Sequence, residues 1–130
     1  MARRRRRFGR GDAGVVATVI VLPGLLLSFW LVLQYAFVAH VRHVAQAAAQ
    51  DASLAAAAGS GDPSAVARQV MADSVGTMTS GVRIAPQVGP DEVTVTVSAD
   101  VLQIFPIGDF DVSVSASAPI ERFIPQPERP

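Results

Sequence analysis

The chain has 130 residues, half of them hydrophobic, with eleven arginines balancing eleven acids and neither lysine nor cysteine. That length admits one small domain beside any membrane segment, and the lack of cysteine excludes disulfides and thiolate metal sites. The zero net charge conceals a polarity: Arg3, Arg4, Arg5, Arg6, Arg7 and Arg10 crowd the first ten residues, whereas beyond Gly14 five arginines face ten acids.

Residues 1–14 read as a basic leader that closes on Arg10-Gly11-Asp12-Ala13-Gly14. Its glycines disfavour a helix before Gly14, so the sequence predicts a helix starting near Val15. From Ala13 to Ala39 no charged residue occurs, and Thr18, Ser28 and Gln34, with the amphipathic Trp30 and Tyr35, are the only polar side chains. At the helical rise this stretch covers about 40 Å, more than the ~30 Å hydrocarbon core of a bilayer. It reads as a single membrane span. Arginine held on one flank keeps the N-terminus in the cytoplasm and sends the acidic remainder outside. Topology and anionic headgroups account for the arginine cluster, so nucleic acid is not among the expected partners. Pro23, followed by Gly24, removes one backbone bond and is expected to bend the span.

The helix does not stop at the membrane surface. His40 to Ala58 is a run of strong helix formers without proline or glycine, so one helix over 15–58, roughly 65 Å long, is expected. Gly59-Ser60-Gly61 ends it. Val41, Val44, Ala45, Ala48, Ala52 and Ala55 lie along one side, a small-residue face that lets another backbone come close. Asp62-Pro63 signals a second helix, an N-cap followed by proline at the first helical position. It should run to about Val75, stop at Gly76 and bury Val66, Val70 and Val75.

From Gly81 the period changes to two. Val82, Ile84 and Val88 alternate with Arg83 and Gln87, and Pro86 marks an edge strand. After the Gly89-Pro90-Asp91 turn, Val93, Val95, Val97 and Ala99 share one face of a strand over 92–99. Phe110, Val112, Val114, Ala116 and Ala118 share a face of the next, over 110–118. A sheet of about three strands needs a helix to cover its apolar side, and the alanine face of the long helix or the second helix can supply it. The connecting loop Val101–Gly108 is apolar; Leu102, Ile104 and Phe105 either close the edge of the core or touch the membrane or a partner subunit. The expected class is therefore α+β: a long N-terminal transmembrane helix extending into a small head of one short helix and a three-stranded antiparallel sheet. The head occupies 59–124 and a proline-rich flexible tail 125–130.

No catalytic constellation is visible, and the acids are scattered over turns and solvent faces. His40 and His43 are three apart on a helix but have no third ligand nearby, so neither a metal nor a cofactor is expected. Arg5-Arg6-Arg7-Phe8 has a twin-arginine look, and Ala45-Gln46-Ala47 could serve a signal peptidase, but the apolar region is longer than a normal signal core.

The order of these features, a basic leader ending in glycine, an immediate long apolar helix, an alanine-rich extension and a terminal domain with VTVTVSA and VSVSASAPIERF, resembles the TadE-like proteins. These are minor-pilin-like components of the Tad (Flp-type) tight-adherence pilus system. The resemblance implies a non-enzymatic, membrane-anchored subunit whose partners are the membrane, other pilin-like or pilus-assembly subunits and a prepilin peptidase. It implies cleavage on the cytoplasmic side after a glycine, at Gly14–Val15, with Gly11–Asp12 as the alternative. Members of the family commonly carry a glutamate a few residues into the mature helix; here Val19 and Val16 stand at the corresponding places for the two cuts.

Overall fold

A computed structural model describes residues 10–122. Arg3–Arg7 and everything from Phe123 on, including the expected fraying and the 125–130 tail, lie outside the described residues. Five elements follow in chain order: α1 (Arg10–Ala57), α2 (Pro63–Val75), β1 (Thr79–Val88), β2 (Glu92–Val101) and β3 (Asp111–Pro119). The expected α+β architecture is present, with both helices on one side of an antiparallel sheet ordered β1-β2-β3.

Helix α1 is continuous over 48 residues, about 72 Å at the standard rise. It begins at Arg10 rather than near Val15, so Gly11 and Gly14 are helical. Each glycine costs about 1 kcal/mol relative to alanine, but extending an existing helix adds a hydrogen bond per residue, whereas only nucleation is expensive. Asp12 in the first turn also favours the positive end of the helix dipole. At the other end Gly59 is left-handed (φ 64°). The Ser60 N–H donates to the Ala55 carbonyl at 2.9 Å and the Gly59 N–H to the Ala56 carbonyl at 3.1 Å. This pair of bonds is a Schellman ending, which satisfies carbonyls the helix would otherwise leave bare.

Helix α2 starts as the Asp62-Pro63 pair predicts. The Asp62 carboxylate accepts from the Ser64 N–H at 3.0 Å, and Pro63 takes the first helical position, where its missing N–H is not needed. Its buried stripe differs from the expected one. Ala67, Met71 and Val75 are buried, while Val66 and Val70 are half-buried. The i, i+4, i+8 row faces inward because α2 packs chiefly on α1 and only lightly on β1.

The two expected strands pair with their apolar faces in register: Val93 opposite Ala118, Val95 opposite Ala116, Val97 opposite Val114 and Ala99 opposite Val112. On the other face Thr94 and Ser117, and Thr96 and Ser115, exchange hydroxyl hydrogen bonds of 2.8 Å. That face is solvated and polar. β1 is an edge strand, as Pro86 requires, but it begins at Thr79. Thr79 and Ser80 pair with Val101 and Asp100 across a register shift, where Gly81 turns to φ 58°. Val88, expected on the inner face, is 74% exposed because it lies at the strand's outer end.

The core combines Val41, Ala45, Ala48, Ala49 and Ala52 of α1 with Ala67, Met71 and Val75 of α2 and the inner faces of β2 and β3. A fully buried valine contributes about 1.5–3 kcal/mol and alanine much less. The strands and Met71 therefore carry most of the apolar burial, and the alanines set the closeness of approach. The C-terminal half of α1 therefore packs as part of the head's core.

Candidate functional site

From Gly11 to Val32 every residue of α1 is exposed. This is the part of the helix long and apolar enough to cross a membrane: its best 18-residue window has a mean hydropathy of 2.5, with none of it buried. The two hydroxyls in this half are satisfied locally. Thr18 donates to the Gly14 carbonyl at 2.9 Å and Ser28 to the Gly24 carbonyl at 2.8 Å. A hydroxyl bonded to its own helix carries a smaller penalty in an apolar medium than a free one.

The candidate cleavage residues Gly11, Asp12, Gly14 and Val15 are all exposed in the first turns of α1. A Cβ built at Gly11, Gly14 or Gly24 meets nothing within 4 Å. Packing among the described residues therefore does not demand glycine at any of the three. Of the arginines read as the topology signal, Arg10 opens the helix, and Arg3, Arg4, Arg5, Arg6 and Arg7 lie outside the described residues. His40 and His43 are exposed on α1.

At the boundary between bare and covered helix stands Gln34, 3% exposed. Its Nε2 donates to the Leu102 carbonyl at 3.3 Å, and its Oε1 accepts from the Ile104 N–H at 2.9 Å. The side chain closes both ends of its amide on the backbone of the loop between β2 and β3. A buried amide is tolerated only when bonded in this way, and no buried side-chain nitrogen or oxygen is orphaned among the described residues. The same loop is held by the Leu102 N–H on the Met78 carbonyl and the Val101 N–H on the Phe110 carbonyl, both 2.8 Å. Leu102 does not close the core edge: it is 55% exposed, while Ile104 and Phe105 are half-buried.

This contact orients the head. Leu54, Ala57 and Ala58 at the far end of α1 share a cleft with Pro119 and Glu121, next to the start of β2. Strand β2 thus runs back along α1 and delivers its loop to Gln34, beside the bare apolar half. The signal for Gln34 was present in the sequence, a lone amide in an uncharged run, but its partners lie 68 and 70 residues away. The predicted cleavage residues and the Gln34 clamp sit at opposite ends of the bare half, and the fold does not bring them together.

Ala45 is buried in the core within unbroken helix. A cut by signal peptidase at Ala45-Gln46-Ala47 would detach Val41 and Ala45 from that core. No protein-family model, curated protein or solved structure matches this chain.

Gln34→Leu keeps the side-chain bulk but strands the Ile104 N–H and the Leu102 carbonyl. Leaving a buried polar group unpaired costs about 1–3 kcal/mol. The expected result is a much larger loss of hydrogen-exchange protection at the Ile104 amide than at the β2 and β3 amides, which lose no more than the fold's overall destabilisation. Equal exchange at Ile104 in both proteins would show that the clamp does not hold the loop.

Proposed function

We propose that this chain is a non-enzymatic, single-pass, pilin-like component of a Tad/Flp-type pilus or a related secretion assembly. The arginine-rich N-terminus lies in the cytoplasm, the exposed half of α1 crosses the membrane, and the α+β head stands on the extracytoplasmic side. Its partners are the membrane, other pilin-like subunits and a prepilin peptidase that acts at Gly14–Val15 or, alternatively, Gly11–Asp12; the reading invokes no nucleic acid, metal or cofactor. One observation carries it: a single helix whose N-terminal half is apolar and bare and whose C-terminal half is the core of a small head. Glycines that no packing among the described residues requires, placed just after the arginines, support the cleavage assignment.

A second reading is favoured by Val16 and Val19, which place no acid where TadE-like proteins commonly carry an assembly glutamate. In it the chain is a permanently anchored envelope protein whose head binds a protein partner without entering a filament. Intact mass and N-terminal sequencing of the protein from native membranes separate the two. A chain starting at Val15 or Asp12 is expected under the first. A retained arginine leader selects the second, and a start near Ala48 overturns both.

A further inference from the structure

The loop that Gln34 holds is the part of the head nearest the bare helix, and its chemistry is unlike the rest of the head surface. Val101 to Gly108 contains no charged residue, and Leu102 and Ile107 are 55% and 66% exposed. We propose that this loop is a second membrane contact, with Leu102 and Ile107 seated in the outer lipid interface beside the span. The inference rests on the proposed membrane placement of α1.

Depth follows from the helix. Asp12 is the last charge before the apolar run. About 20 residues cross a 30 Å hydrocarbon layer, so a crossing that starts at Ala13 ends near Leu33. Gln34 then lies at the edge of the hydrocarbon, and its two hydrogen bonds place the Leu102 and Ile104 backbone at the same level. Tyr35, 75% exposed, stands there as an interfacial aromatic.

Backbone polarity normally keeps an irregular loop away from lipid, because unpaired N–H groups are costly there. Here the N–H groups of Val101, Leu102, Ile104 and Ile107 are bonded, to Phe110, Met78, Gln34 and Phe105 respectively, while those of Gln103, Phe105 and Gly108 make no bond among the described residues, which restricts the contact to the hydrated interface. The exposed Gln103 amide donates across the loop to the Gly108 carbonyl and the Asp109 carboxylate. The acids flanking the loop are Asp100, Asp109 and Asp111; Asp100 is 3.7 Å from Arg83. Carboxylates at both ends limit insertion to the tip and make apolar contact, not charge, the source of binding.

The cysteine-free sequence allows a direct test on the full chain in phosphatidylcholine vesicles. Leu26→Cys, Ile107→Cys and Ser60→Cys, each at an exposed position, would be labelled singly with an environment-sensitive fluorophore. Quenching by nitroxide-bearing lipids and by aqueous iodide is then compared. The expected result is loss of more than half the emission to lipid nitroxides at 26 and 107, with 60 quenched only by iodide. Iodide quenching at 107 with lipid quenching at 26 would overturn the loop contact and leave the span intact. Silence to both quenchers at 107 would overturn it in favour of a second copy of this chain covering the loop. Absence of lipid quenching at 26 would overturn the span and the loop contact together.

Discussion

Ala48→Leu should destabilise the head by about 1–3 kcal/mol, the usual cost of forcing extra methylenes into a filled core. Ala48 has no exposed surface, and α1 packs on β2, β3 and α2 at once. A larger side chain there must displace a strand or the second helix. Ala47→Leu is the control, one residue away and exposed. It makes the same chemical change with nearly the same helix propensity, and surface changes of this kind stay within about 0.5 kcal/mol. Denaturant unfolding of the two full-length variants in one detergent should show a lower midpoint for the position-48 variant alone. Equal midpoints would mean that the alanine stripe is not under packing constraint.

Under the proposed cleavage, Gly14→Leu should abolish processing at Gly14–Val15 and accumulate full-length chain in membranes. Among the described residues the substitution has no steric reason to disturb the fold, since a Cβ at Gly14 meets nothing within 4 Å. It should in fact firm the helix, because leucine is a better helix former than glycine by roughly 0.8 kcal/mol. Loss of maturation could then not be ascribed to misfolding. Under the proposed function the physical demand for glycine comes from the peptidase. A scissile bond must be drawn out of the helix into an extended strand, and a small residue allows that strand to enter a site at the membrane surface. The mass of the membrane-extracted protein reads the result directly. Unchanged maturation of Gly14→Leu with arrest of Gly11→Leu would move the cut to Gly11–Asp12. Unchanged maturation of both would remove the cleavage assignment.

Local chemistry was legible where it acted alone. Asp62-Pro63 marked the start of α2, and the valine alternation of 93–99 and 112–118 marked two strands and their inner faces. The start of α1 was not legible, because the low propensity of Gly11 and Gly14 is overridden by propagation from the long run that follows. The first residues of β1 were missed for a related reason: Thr79 and Ser80 become strand by pairing with Val101 and Asp100. The inward face of α2 depends on where α1 lies against it, which no periodicity within 63–75 contains. In the candidate site, the apolar length of α1 and the oddity of the 101–108 loop were both visible. The clamp that joins them was not, since hydrogen bonds between residues 34, 102 and 104 arise only from the path of the chain between them.

Helix α1 has no loop between its bare half and the head. Under the proposed placement the head therefore has no swivel. From Gln34 to Ala57 the helix acts as a lever of about 35 Å, and a typical lean of about 20° in the bilayer carries its far end sideways by roughly 12 Å. Apolar segments lean further in thin membranes than in thick ones. The bearing of the head is thus set by the lipid around the anchor, and a pull applied to the head reaches the span as torque rather than being absorbed on the way.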